Sequence, residues 1–156
     1  MAVDDLAKTS NDAVELLSFT TADQSYALQL MSVREIRGWV KPTPLPHAPS
    51  FMRGVINLRG TVLPIVDLAA RLGLPATEET GRNVIIVVDV AGDAQGLLVD
   101  AVSDILEIAR ADMQPPPDLQ GMGNAQFIDA LTIVEDRMIR ILNLTELLPE
   151  HNEAAA

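Results

Sequence analysis

Two stretches of this chain carry the same order of features, and that repeat limits the fold more than any single motif. At an offset of 69 residues, Phe19–Ile36 lies over Val88–Ile105, so that Ala22 meets Ala91, Leu28 meets Leu97, Val33 meets Val102 and Glu35 meets Asp104. At an offset of 76, Phe51 meets Phe127, Ile65 meets Ile141, Asp67 meets Asn143, Leu68 meets Leu144 and Leu72 meets Leu148. The offset changes inside the two Pro-rich loops, residues 41–50 and 109–126, where insertions are tolerated. Duplication of one unit, over residues 16–73 and 84–148, accounts for this pattern.

Each unit reads as five short strands and a short helix. Leu16–Thr20 and Ser25–Leu30 flank a turn at Ala22-Asp23-Gln24, and Val33–Val40 is a turn followed by a strand. Four prolines (Pro42, Pro44, Pro46 and Pro49) make the next segment a stiff loop. Phe51–Leu58, the turn Arg59-Gly60 and Thr61–Val66 follow, with Pro64 predicting an edge or a bulge. Asp67 can cap a helix over Leu68–Leu72 that Gly73 ends. The second unit repeats this through the β-branched run Val84–Val90, the strands Gly96–Asp100 and Ala101–Ile108, the hairpin Phe127–Leu142, and a last helix capped by Asn143 and stopped by Pro149. Short strands joined by tight turns suit small closed barrels, and a unit of about 70 residues is marginal alone, so the two should share a core. The expectation is a mainly β fold of two five-stranded barrels packed together with short capping helices, and polar tails over residues 1–15 and 149–156.

Charge narrows the partners. The net charge is −11, which disfavours nucleic acid and acidic lipid surfaces. Arg34, Arg37, Lys41, Arg53 and Arg59 nevertheless fall within one segment that holds a single acid, Glu35. That island is +4 in a chain whose remainder is −15, and it suits an acidic partner. The absence of Cys fits a reducing cytoplasm, and the acidic start is unlike a secretory signal.

Catalytic chemistry is poorly supplied. His47 and His151 are the only histidines, and neither has a ligand-spaced neighbour. No phosphate-cradling glycine motif and no nucleophile-elbow serine is present. Asp67, Asp89, Asp100 and Asp104 could form a hydrolytic carboxylate pair, but a helix cap and strand-end positions explain them better. No cofactor, metal or catalytic residue is expected. A carboxylate hydrolase and a small-molecule sensor working in the inter-barrel cleft stand as alternatives to a binding role.

Four stretches carry a resemblance to a known family. Val33-Arg34-Glu35-Ile36-Arg37-Gly38, then Gly54-Val55-Ile56-Asn57-Leu58-Arg59-Gly60, then Pro64-Ile65-Val66-Asp67-Leu68 look like the signature of the CheW family of chemotaxis coupling proteins. Gly96-Leu97-Leu98-Val99-Asp100-Ala101-Val102-Ser103-Asp104 resembles its second block, and the likeness spans residues 16–148. The resemblance implies two SH3-like five-stranded barrels about a shared core. It further implies a non-enzymatic adaptor joining chemoreceptor cytoplasmic tips to the regulatory domain of the histidine kinase CheA, beneath the inner membrane. Partner contacts would cluster at Val33, Glu35, Ile36, Arg59, Ile65, Val99, Val102 and Ser103. Of these, Glu35 and Arg59 are the stronger interface candidates, because a charged side chain is not core unless paired. With aromatics at 3%, a monomer is expected when the chain is free.

Overall fold

The computed structural model describes residues 12–117 and 125–148. The strands in chain order are β1 (Ala13–Thr21), β2 (Gln24–Gln29), β3 (Val33–Gly38), β4 (Met52–Leu58) and β5 (Thr61–Asp67), followed by helix α1 (Leu68–Arg71). Then come β6 (Val84–Val90), β7 (Asp93–Val99), β8 (Ala101–Ala109), β9 (Ile128–Val134), β10 (Arg137–Leu142) and helix α2 (Leu144–Leu147). The fold is mainly β, with two SH3-like five-stranded sheets and two short capped helices. Most of the predicted tails, and Pro149, lie outside the described residues. At the start, β1 begins at Ala13 and Val14 already pairs with Ile108, so residues 13–15 belong to the strand and not to a tail.

The strand neighbours correct one expectation. Residues 16–73 and 84–148 do not each close a barrel of their own. Sheet A has the order β8-β1-β2-β10-β9 and sheet B the order β3-β6-β7-β5-β4. Each sheet takes two strands from one repeat and three from the other. The cause lies in the connections. For β3 to join β1 within its own repeat it would run parallel to β2, and a parallel return needs a crossover of about a dozen residues or more. The connection available is a 3-10 turn of 3 residues, Leu30–Ser32. Its counterpart between β7 and β8 is the single residue Asp100. The chain therefore continues into the opposite sheet, where β3 pairs antiparallel with β6 and β8 with β1.

The exchange preserves the repeat in detail. The β1–β8 ladder slips between Ser18 and Phe19 and leaves Ser103 unpaired; the β3–β6 ladder slips between Val33 and Glu35 and leaves Arg34 unpaired. Ile141 pairs with Ala27 in one parallel ladder and Ile65 with Gly96 in the other. Asp67 caps α1 by accepting from Ala70 N at 3.4 Å, and Asn143 caps α2 by accepting from Glu146 N at 3.2 Å. Pro64 is in an internal strand and not at an edge. The β5–β7 ladder begins at Ile65, so the missing N–H falls beyond the end of that ladder.

Apolar side chains fill three layers. Ile85, Val87 and Leu98 face the interior of sheet B with Ile65 and Leu63. Their neighbours Ile86, Val88, Leu97 and Val99 face a central core shared with Leu17, Phe19 and Leu28 of sheet A. Leu16, Ala27, Ile139 and Ile141 fill the interior of sheet A. Covered on both faces, β6 is apolar at consecutive positions instead of alternate ones. Arg71 of α1 ties the two halves together. Its guanidinium lies 4.6 Å from the Phe51 ring and 4.8 Å from the Phe127 ring, and its Nε donates to Leu147 O at 2.5 Å.

Candidate docking site

Three of the four candidate aspartates are occupied with structure, and the fourth, Asp104, lies exposed on β8. Asp67 is buried, accepts from Thr77 N and Oγ1 at 2.9 and 2.6 Å, and pairs with Arg53 at 3.0 Å. Asp89 pairs with Arg34 at 2.6 Å, and Asp100 accepts from Ala22 N at 3.0 Å. His47 is exposed in the Pro-rich loop, and His151 lies outside the described residues. Among the described residues no group of three or more His, Cys, Asp or Glu could hold a metal ion.

What remains is a surface at one end of sheet B, built by β3 and the β4–β5 hairpin. Leu58 pairs with Thr61, which leaves Arg59-Gly60 as a two-residue turn. Both turn residues have positive φ, 52° and 84°, which fits the hairpin geometry that right-handed strand twist favours. Asn57 Oδ1 accepts from Gly60 N at 2.8 Å and fixes the tip. The turn aims Arg59 across at β3, where its Nη2 donates to Glu35 Oε1 at 2.7 Å. Arg37 adds a longer contact to the same carboxylate, 3.6 Å. The hydrogen bond from Arg59, with the charges of Arg59 and Arg37, holds the Glu35 carboxyl below the usual glutamate range. The Arg59 side chain is still 70% exposed, so the pair presents itself to solvent and does not seal a core.

Behind Glu35, the unpaired residue Arg34 donates Nε and Nη2 to Asp89 at 3.1 and 2.6 Å. Ile36, 47% exposed, and Val62, 67% exposed, alternate with Glu35 and Leu63 along their strands and put apolar area on the other face of the sheet. Rigid, solvent-facing charge, with exposed apolar residues on the same strands, is the make-up of a docking surface.

The predicted contact residues separate into three groups. Glu35, Ile36 and Arg59 lie together on sheet B, with Val33 partly buried against the central core. Val102 and Ser103 lie on β8 of sheet A, Val102 packed on the same core and Ser103 exposed. Ile65 and Val99 are fully buried, which corrects their assignment as contacts: inside the sheet B interior and the central core their side chains touch no partner. Val62 is a surface residue that sequence reasoning did not pick out. Its only signal is its place, opposite in phase to Leu63 and Ile65 along β5.

Two interleaved β sheets with exposed surface patches suit a protein that binds others. Comparison with known proteins gives the particular family. The CheW-like domain profile matches residues 15–152, and the chain belongs to that family. Chemotaxis protein CheW of Rhizobium meliloti is 48% identical over 147 residues, spanning 94% of this chain and 95% of that protein. Chemotaxis protein CheW of Thermotoga maritima is 31% identical, spanning 92% and 95%. The crystal structure of the scaffolding protein TtCheW from Thermoanaerobacter tengcongensis superposes with a TM-score of 0.82 at 30% identity, over 90% of this chain and 96% of that one. CheW-family proteins are chemotaxis scaffolds and not enzymes. No helix among the described residues is long and apolar enough to cross a membrane.

Proposed function

We propose that this chain couples the cytoplasmic tips of chemoreceptors to the regulatory domain of the histidine kinase CheA, as a monomer recruited into ternary complexes at receptor arrays beneath the inner membrane. Family membership supports the chemotaxis role. The observation that carries the coupling is the solvent-facing Glu35–Arg59 pair, whose arginine is held on a two-residue turn. A guanidinium on a rigid turn can pair with a partner's carboxylate at little ordering cost, and arginine at such positions is a frequent binding hot spot. Val33, Val102 and Ser103 fit the same reading as flanking positions.

Pull-down against receptor tips and against the kinase regulatory domain tests the coupling, and binding to neither sinks it. The variant Arg59→Glu tests the site. An exposed hot-spot arginine is worth about 2 kcal/mol in binding, roughly thirtyfold, while its replacement changes stability by about 0.5 kcal/mol or less. Receptor-coupled kinase control should collapse in a protein that melts normally. Normal signalling removes Arg59 from the site, and a large loss of melting temperature makes it a structural residue.

A further inference from the structure

Four ladders cross between the two repeats: β1–β8 and β2–β10 in sheet A, β3–β6 and β5–β7 in sheet B. The covalent tie between the repeats is one segment, residues 72–83, which forms no strand or helix. None of the crossing ladders requires its two strands to belong to the same molecule. The first repeat of one chain can take up the second repeat of another with every residue pair kept, once that segment opens.

The segment has a fastened part and a hinge. Up to residue 77 it is held by the first repeat. Leu74 N donates to Ala69 O at 2.9 Å, Thr77 N and Oγ1 donate to the Asp67 carboxylate, and Arg53 donates to Thr77 O. Beyond Thr77 the chain turns back on itself. Asn83 Oδ1 accepts from Thr80 N at 2.8 Å, Asn83 Nδ2 donates to Glu78 O at 3.0 Å, and Gly81 supplies a left-handed φ of 81°. Arg53 also reaches Glu79 at 3.3 Å, again on the side of the first repeat. Opening residues 78–83 therefore undoes a turn closed by its own side chain and leaves the Asp67 network in place. Asp67 and Ile85 both lie opposite Leu98, on either side of β7, so β5 ends and β6 begins two strand spacings apart, about 10 Å. Pulled straight, residues 78–83 reach about 20 Å, which carries β6 out of its own sheet.

We propose that a second copy of this chain is a partner of the molecule, taken up by exchange: the hinge at residues 78–83 opens, and two chains trade their second repeats to form a closed dimer. The face each copy offers the other is the one between the repeats, lined by Leu17, Phe19, Ile86 and Leu97. Closed monomer and exchanged dimer share the same ladders and core, so concentration decides between them. A short flexible link holds its two ends at an effective concentration in the millimolar range, and only near that range does exchange compete with self-closure. Each state, once formed, persists, because conversion must unpair both sheets. The dimer carries both sheet ends twice, so whatever the monomer holds, the dimer holds in pairs.

The chain has no Cys, so an introduced pair reports which strands are joined. Glu15 of β1 lies directly opposite Glu107 of β8, and both are exposed, which puts the pair within disulfide reach. The full chain with Glu15→Cys and Glu107→Cys is unfolded under reduction, refolded at about 5 µM or about 1 mM, oxidised, and separated by size and on a non-reducing denaturing gel. Dilute refolding should give monomer with the disulfide inside one chain. Concentrated refolding should add a dimer of native spectrum whose disulfides join two chains, and the unmodified chain should show the same concentration dependence by size. Replacing residues 78–82 by five prolines, a stiff rod of about 15 Å that cannot turn back, should bring the dimer down to the dilute condition. No dimer in the concentrated sample overturns the exchange, as does a dimer whose disulfides stay within single chains, the mark of an ordinary surface contact. A folded, monomeric proline variant overturns the placing of the hinge; if that variant does not fold, the Cys pair decides alone. Failure to bind receptor tips or the kinase domain sinks the adaptor reading and leaves this result untouched.

Discussion

Sheet B is built from one continuous stretch of chain, β3 to β7, whereas sheet A is assembled from β1–β2 and the distant β8–β10. Both nevertheless reach the same neighbour order and slip register at equivalent places. What fixes a sheet here is which edges can pair and how long the connections are, and sequence continuity matters little. Against that common frame the two sheets differ in fittings. Gly96 stands where sheet A has Ala27, because a Cβ there would lie 2.9 Å from Ile85 Cγ2 and closer still to Ile65 Cδ1. Gly54 stands where sheet A has Ala130. Its φ of 136° and the approach of Thr43 O, whose residue bridges to Val55, leave no room for a side chain. Asp67 sits in a buried ionic network where Asn143 is a half-exposed cap.

These differences predict unequal responses to matched substitutions. The largest contrast is at the caps. Asp67→Ala strips Arg53 and Thr77 of their shared partner and should cost about 3–5 kcal/mol, as removal of one member of a buried pair does. Asn143→Ala should cost about 1 kcal/mol, the usual worth of an N-cap. Denaturant unfolding of both variants checks the order, and equal losses would mean that the Asp67 network adds nothing beyond capping. Next, Gly54→Ala should lose about 2–3 kcal/mol through backbone strain, against about 1 kcal/mol for Ala130→Gly. A harmless Gly54→Ala would show that the Thr43 bridge is not required.

The smallest contrast is in pH. The Glu35 carboxyl is lowered in the folded chain, so its contribution is complete above the unfolded value and fades as pH falls through the lower folded value. Thermal melts of the wild-type chain and Glu35→Gln should differ slightly at pH 6 and converge below the ordinary glutamate range, about pH 4. A difference that persists in strong acid would assign the effect to packing and not to the ion pair.

The strands, both helix caps and the repeated positions were legible in the sequence because each rests on local chemistry: alternation, a side-chain acceptor at the first turn, and glycine or turn residues between strands. The exchange of strands was not. The apolar pattern of β3 reads the same whether it pairs within its repeat or across, and only the brevity of Leu30–Ser32 and of Asp100 excludes the first option. Glu35 and Arg59 were legible as surface residues because charge resists burial. Ile65 and Val99 were misplaced at the interface, although full burial is the ordinary fate of such side chains in a run covered on both faces. The converse cases, Val62 and Met138, are apolar yet exposed, and no local rule marks them.

The short link between β2 and β3 also leaves each half dependent on the other. A lone copy of the repeat holds two strands of one sheet and three of another and can complete neither. Two identical copies would complete both as a strand-exchanged pair with two-fold symmetry. In one chain the halves are free to differ, as the arginine at position 59 and the glutamate at position 135 do. The segments on either side of residue 79, expressed as separate chains, should be unfolded alone and recover the native spectrum when mixed; two independently folded halves would contradict this interdependence.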